Sequence, residues 1–422
     1  MLCVKPWVRR LPPISEKKNF IFNMFGSTCN AAVSVLLLVF VSQILGETDA
    51  GLFALAFPTA QMLYTVASFE VRNVQITDVK RQFSFSDVLN FRFCTVLLMA
   101  VVCAVFLLIQ GYTGQKALLI CLLCVYMAAL AISDVFQGIL HQNGYLSLAG
   151  KSLGYHTLSG ATAFIVVLLL THDLILSAIA MAVTAILWTV LYDIPYSRNF
   201  ESYRPHFSLA ATKGLLFGSL PLFLSVFLQQ YILNAPKYAI DAHLDEIAQS
   251  HYGFLVMPVA FINLFSIFIF RPQLVTLSNE YATDLVRFRR RVLRLFAWIG
   301  GATVFAMVAG YLLGIPLLNL LYNTDLNAYR ELFLLLLFGG GLGAGASLTI
   351  TVLTVMRKQQ FGLIVFGAVA LFSVFVPDLL VREWAVPGAA LSYVAEMVLL
   401  CVGLLIVYAI CLRRAERSVS HE

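Results

Sequence analysis

The sequence predicts an all-α membrane protein, with about twelve transmembrane helices in two six-helix lobes. Three observations carry this. The 422 residues are 60% apolar and only 12% charged, against ~45–50% and ~25% in soluble domains. Apolar stretches long enough to span recur along the chain; ~20 such residues in a helix cross the ~30 Å hydrocarbon core. Basic residues gather on every second loop, the pattern that marks the cytoplasmic side.

The first span, 20–45, follows Lys5, Arg9, Arg10, Lys17 and Lys18. It is too long for the apolar core of a signal peptide, and no small-residue cleavage site follows. It is therefore expected to stay as an anchor. The second, 50–71, has Pro58 inside it. Spans 88–110, 115–137, 152–171 and 174–194 complete the first lobe, 1–194. The loop 195–212 reads as a cytoplasmic linker. The second lobe, 213–422, holds 213–234, 250–271, 293–315, 331–355, 361–377 and 386–411. The longest loops are 72–87, 195–212 and 272–292, all on the basic side.

With the N-terminus inside, the outer loops carry only Lys116, Lys237, Arg330 and Arg382 beside ten acids, a net of −6. An odd number of spans would scramble this pattern, so both termini are expected in the cytoplasm. The overall charge of +6 is then a topology signal and gives no reason to expect nucleic acid. The halves are weakly alike. Asp49-Ala-Gly51-Leu-Phe53, Pro58 and Arg72 are echoed by Ser250-His-Tyr-Gly253-Phe254, Pro258 and Arg271. Equal span numbers give the halves one orientation, a parallel repeat as in transporters whose site lies between two lobes.

Several polar groups fall inside spans. Asn23, Ser27, Asn30 and Ser34 share one face of the first helix by their spacing. Ser225 with Gln229, and Gln230 with Asn234, do the same in the seventh. Such side chains at membrane depth serve helix–helix hydrogen bonds or line a hydrated cavity. Glu70, Arg72, Arg92, Asp134 and Arg271 sit toward inner span ends. There arginines either snorkel to the interface or meet a ligand. Glu396 lies ~14 Å into its span, where a carboxyl must be protonated, paired or facing water. Lys237 is the lone lysine near the seventh span's outer end, either a surface partner of Asp241 or a cation for an anion.

The eight cysteines imply no disulfide framework, since none falls on an outer loop. Cys121 and Cys124 read as apolar packing, without further metal ligands nearby. The glycines of 339–345 read as helix packing. Gly150-Lys-Ser152 lacks the spacing of a phosphate loop. Arg287-Phe-Arg-Arg-Arg291 reads as a lipid-headgroup anchor. No catalytic constellation, cofactor site or metal site is expected.

Four stretches then resemble bacterial polysaccharide flippases, the Wzx-like branch of the superfamily that also holds multidrug extruders and the lipid II flippase. They are Gly51-Leu-Phe-Ala54 through Arg72-Asn-Val-Gln75, Thr77-Asp78 and Phe83-Ser-Phe85; Asp134-Val-Phe-Gln-Gly138 with His141-Gln-Asn143 and Gly150-Lys-Ser152; Asn234-Ala-Pro-Lys-Tyr-Ala-Ile-Asp241 with Tyr252-Gly-Phe254; and Phe270-Arg-Pro272. Tyr145-Leu-Ser147 departs from the pattern, being less charged. The resemblance implies two lobes forming a V. It also implies transfer of undecaprenyl-diphosphate-linked oligosaccharide from the inner to the outer leaflet of the bacterial cytoplasmic membrane, for capsule or a similar surface polymer. Membrane lipids and other polysaccharide-assembly proteins are the further partners it implies.

On that reading Arg72, Arg92, Arg271 and Lys237 meet the diphosphate. Asn23, Ser27, Asn30, Gln75, Gln229, Gln230 and Asn234 meet sugar. Asp134 and Glu396 are candidates for ion coupling. With no ATP motif, an ion gradient or removal of product outside would drive the step. Two other readings stand beside it. An ion-coupled small-molecule exporter of the same fold would place an acid on the opening helices, and the first span has none. A membrane polymerase or ligase would carry a large outer catalytic loop, and none is present.

Overall fold

The computed structural model describes residues 15–78, 81–200, 203, 208–270 and 273–419, the side chains at 260–261, 263–270, 274–275 and 417–419 excepted. Every regular element among them is helical. The helices are α1 (Glu16–Leu45), α2 (Glu47–Ser68), α3 (Val71–Thr77), α4 (Phe85–Gln110), α5 (Gly114–Gln142), α6 (Leu146–Thr171) and α7 (Leu174–Trp188). A π-helical turn, Thr189–Asp193, joins α7 to α8 (Ile194–Ser197). Then follow α9 (Leu209–His243), α10 (Glu246–Phe270), α11 (Leu274–Thr283), α12 (Leu285–Ala309), α13 (Ile315–Tyr322), α14 (Arg330–Val355) and α15 (Gln360–Val419).

Ten helical stretches among the described residues are long and apolar enough to cross a membrane. One of them, Gln360–Glu416, runs 57 residues, ~85 Å of helix and far more than one crossing needs. It breaks at Ala385, whose φ is 51°, between Pro377 and Pro387, which cannot continue a helical ladder. The two halves reproduce the spans expected at 361–377 and 386–411. With the 25-residue α10, the twelve expected spans are all present as helices. The chain is a multi-pass helical membrane protein. The loops expected at 72–87 and 272–292 hold short helices, α3 and α11.

Local chemistry sets the ends. Ser84 and Asp87 form a reciprocal capping box at α4, which satisfies two donors the helix leaves open. Asp173 and Asp284 cap α7 and α12 by accepting from backbone N–H groups. Where helices must touch, glycine permits it. A Cβ at Gly26 of α1 would collide with the Gly150 carbonyl of α6, and one at Gly150 with the backbone of Phe22 and Asn23. Gly150-Lys-Ser152 thus serves α1–α6 packing. Likewise Gly339, Gly340 and Gly341 seat against Tyr393, Val259 and Thr303.

The chain divides into two compact units, Met1–Leu45 with Ala56–Phe227, and Gly46–Leu55 with Leu228–Glu422. This differs from a division at 195–212: α2 and α9 each run through both units. The packing explains why. Gly51 of α2 lies directly on the Glu246 backbone of α10. The first half of α9 lies on the α2–α4 region, with Phe223 stacked on Phe69 at 4.1 Å and Gly214 against Phe83.

Candidate anion cavity

Between α2 and α3 the backbone makes a tight reversal. Phe69 and Glu70 take φ of 45° and 54°, a left-handed conformation that costs non-glycine residues roughly 1–3 kcal/mol each. Packing holds it in place. Phe69 is buried against Phe91 and Phe223, and Glu70 accepts from the Asn73 side chain at 2.7 Å. The reversal starts α3 in a new direction and delivers Arg72 to α5.

Arg72 Nη1 donates to Asp134 Oδ1 at 2.8 Å and to Gln137 Oε1 at 3.3 Å. Arg92 of α4 donates to the other Asp134 oxygen at 3.1 Å and to the Ala67 carbonyl at 2.5 Å. Thr95 donates to the same carbonyl. Arg92 therefore closes the end of α2, whose last carbonyls lack helical partners. Its side chain is fully buried, whereas Arg72 keeps 24% exposure. Arg92 does not snorkel, because its charge is satisfied inside the bundle. One carboxylate thus serves two guanidiniums. Asp134, a candidate for ion coupling by sequence, stands as their shared counter-ion.

Arg72 and Asp134 line a cavity of about 150 Å³ in the first unit. Its wall takes Asn30 and Val33 from α1, and Phe57, Gln61 and Tyr64 from α2. From α5 come Tyr126, Met127, Leu130 and Gln137, and from α6 Leu153. Sequence reasoning missed Gln61, Tyr64 and Gln137 as cavity groups. Gln61 and Tyr64 sit at i, i+4 and i, i+7 from Phe57, a helical stripe that an all-apolar reading of the second span passes over. Gln137 is one turn from Asp134.

Behind the cavity a further buried chain runs through α5 and α6 to the π-helical turn. Gln137 Nε2 donates to Ser133 Oγ at 3.0 Å and approaches Ser152 Oγ at 3.4 Å. Both serines donate to Asp193, at 2.6 and 2.5 Å. Asp193 is fully buried.

The other expected site residues divide. Asn30 joins the cavity; Asn23 and Ser27 do not line it, and Asn23 packs its backbone on Gly150. Gln75 is turned into packing, with 4% exposure, its amide donating to the Val135 carbonyl beside Gly138. In the second unit Asn234 donates to the Gln230 carbonyl, so that pair is side chain to backbone. Gln229 and Gln230 are half-buried. Lys237 is not a surface lysine. It is 7% exposed, and its amine donates to Asn234 Oδ1 at 3.3 Å. Glu396 is fully buried with neither oxygen hydrogen-bonded. Arg271, Lys5, Arg9 and Arg10 lie outside the described residues. Cys103 of α4 approaches Cys124 at 3.7 Å, a neighbour the sequence did not reveal; among the described residues no group of side chains could hold a metal ion.

No family model matches the chain. A relative from Staphylococcus aureus, the capsular polysaccharide biosynthesis protein CapF, is 21% identical over 387 residues, covering 89% of this chain and 94% of its own. Among solved structures, an inward-facing multidrug-resistance transporter of the MATE family and MOP superfamily superposes with a TM-score of 0.70 at 15% identity, covering 92% of this chain and 96% of that one. The lipid II flippase MurJ, inward closed, gives 0.70 at 13% identity, covering 92% and 89%.

Proposed function

We propose that this chain, which has the fold of the MOP-superfamily transporters, moves a polyprenyl-diphosphate-linked oligosaccharide across the bacterial cytoplasmic membrane for assembly of a surface polysaccharide. The observation that carries the reading is Arg72. It is a partly exposed guanidinium inside a helix bundle, held by a carboxylate that also serves a second arginine. Such a cation can exchange Asp134 and Gln137 for the oxygens of a phosphate, which accepts a guanidinium's fork of donors equally well. The cavity is smaller than the ~300–1,000 Å³ of sites that enclose a whole ligand. It admits a headgroup fragment, with Asn30, Gln61 and Tyr64 as neutral partners for hydroxyls.

The similarity to a capsule biosynthesis protein along nearly the whole chain and the fold shared with a lipid II flippase support the lipid-linked class of substrate. A drug exporter of this fold is less well supported, because α1 offers the cavity Asn30 and Val33 and no acid. In the second unit, Lys237 is a further cation for the diphosphate and Glu396 the candidate for ion coupling. The charge pattern supports a cytoplasmic position for both termini.

A deletion strain should lose surface polymer and accumulate lipid-linked oligosaccharide. The wild-type gene should reverse both changes. Arg72→Ala should reverse neither while reaching the membrane at normal abundance. Full restoration by Arg72→Ala would refute the proposal.

A further inference from the structure

The hydrogen-bond chain behind Arg72 has a direction, and Asp193 sets it. A serine hydroxyl has one proton to give. Ser133 and Ser152 both give theirs to Asp193, at 2.6 and 2.5 Å. Each Oγ is left with lone pairs alone, so only a donor can face it. The two ends of the Gln137 amide have nearly the same shape, and their order is decided by the network around them. Here the NH2 end must turn to the serines, at 3.0 and 3.4 Å. The oxygen is then left for Arg72 Nη1, at 3.3 Å.

We propose that Asp193 is a positioning residue for Arg72: acting through Ser133, Ser152 and Gln137, it fixes an acceptor against the guanidinium and so presents Arg72 to a phosphate in one orientation. This rests on the reading of Arg72 as the phosphate-binding cation. The π-helical turn suits the role. One extra residue in a helical turn re-aims a side chain, and Asp193 closes that turn with no exposure to solvent.

The proposal makes a prediction that charge alone does not. Asp193→Asn removes a negative charge, and by charge alone it should tighten anion binding. By orientation it should weaken it. The amide introduced by Asp193→Asn donates to one serine and frees that serine's proton, so the Gln137 amide fits either way round. When flipped it sets a donor against the guanidinium. The loss of about one hydrogen bond weakens binding about three- to ten-fold.

Gln137→Glu alone should also weaken binding, because carboxylate oxygens would then face lone pairs on both serines. In Asp193→Asn with Gln137→Glu the two faults cancel. The serine proton freed at position 193 now has a carboxylate at position 137 to go to, and whichever way that group turns it shows Arg72 an oxygen. Two damaging changes that cure one another report polarity in the chain, and a loss of packing would not behave so.

The experiment uses the purified full-length protein in detergent and a fluorescent short-chain polyprenyl diphosphate as probe. The expected dissociation constants are three- to ten-fold above wild type for each single variant and within about two-fold of it for the pair. Arg72→Ala is measured alongside. Wild-type affinity in Arg72→Ala would sink the phosphate reading itself. Loss of binding there, with Asp193→Asn equal to or tighter than wild type, or with no rescue in the pair, would overturn only the role of Asp193. Should Asp193→Asn fail to accumulate, Ser133→Ala carries the test without a change of charge. It should weaken binding in the same direction, and unchanged affinity would count against the proposal.

Discussion

Asp134 and Arg72 make one ion pair, yet removing the two partners should have very different consequences. In Asp134→Ala both guanidiniums lose their carboxylate. Arg72, with 24% of its side chain exposed, can turn to water. Arg92 cannot, because its side chain is fully buried and, among the described residues, keeps the Ala67 carbonyl as its one hydrogen-bond partner. Stranding a buried charge costs about 3–5 kcal/mol. In Arg72→Ala, by contrast, Asp134 keeps Arg92 and is itself partly exposed, so the cost is nearer ~1 kcal/mol. The difference of roughly 3 kcal/mol corresponds to about two orders of magnitude in the ratio of folded to unfolded protein.

Membrane proteins of this size unfold irreversibly, so the quantity to measure is a rate. Each variant would carry a fluorescent fusion, be solubilised in detergent, held at one elevated temperature, and sampled by size-exclusion chromatography for the surviving monodisperse peak. Asp134→Ala should decay much faster than Arg72→Ala. Asp134→Asn, which retains an acceptor oxygen, should fall between them. Equal decay of Asp134→Ala and Arg72→Ala would refute the claim that Arg92 depends on this carboxylate.

Four further outcomes are expected. Lys237→Gln should abolish restoration of surface polymer at normal protein abundance, since its buried amine has Asn234 as its one hydrogen-bond partner among the described residues; full restoration would remove Lys237 from the transport path. Gly26→Ala should lower thermal survival, because its Cβ would meet the Gly150 carbonyl of α6, whereas Gly300→Ala, where a Cβ meets nothing within 4 Å, should not. Hydrogen bonds from Arg291 hold the Glu280 carboxyl below its ordinary 4.5. A depressed carboxylate stabilises fully above its ordinary value and loses that effect as pH falls through the lower one, so protection of α11 against hydrogen exchange, relative to the intrinsic rate at each pH, should stay constant near neutrality and fall only in acid, and Glu280→Gln should abolish that fall. Cysteines replacing exposed Glu383 and Arg289 should label from outside and from inside respectively with an impermeant thiol reagent; the reverse pattern would invert the topology.

The spans were legible because a membrane helix is specified by length and apolarity, and both are local properties. The helices that escaped, α3 and α11, are 7 and 10 residues long and lie in basic segments that read as loops. The break at Ala385 was legible too, since Pro377 and Pro387 flank it. The site was only half visible. Arg72 lies at the end of an apolar run, and Arg92 and Asp134 lie inside such runs, where a charge draws attention. The partners do not. Asp134 lies 62 residues from Arg72 and 42 from Arg92, and nothing local pairs them. Asp193 was passed over because an acid at the end of a span reads as an interfacial residue. Only the serines brought to it from α5 and α6 reveal that it is inside. Gln75 failed in the opposite direction: polar and near Arg72 in sequence, it faces Gly138 of α5 across a contact that leaves no room for a ligand.

The two arginines show why position along a span does not decide a role. Both sit toward inner span ends, and by sequence they share one explanation. The backbone separates them. Arg92 is on α4, next to the end of α2, where an unpaired carbonyl waits; closing that helix end uses its charge for the fold. Arg72 comes off a strained reversal that no helix end requires, and it reaches Asp134 from the cavity side. Asp134 divides its two oxygens between them, and of the two only Arg72 is partly exposed. The fold thus commits one guanidinium to structure and leaves the other able to change partners, which the proposed binding and release of a diphosphate would require.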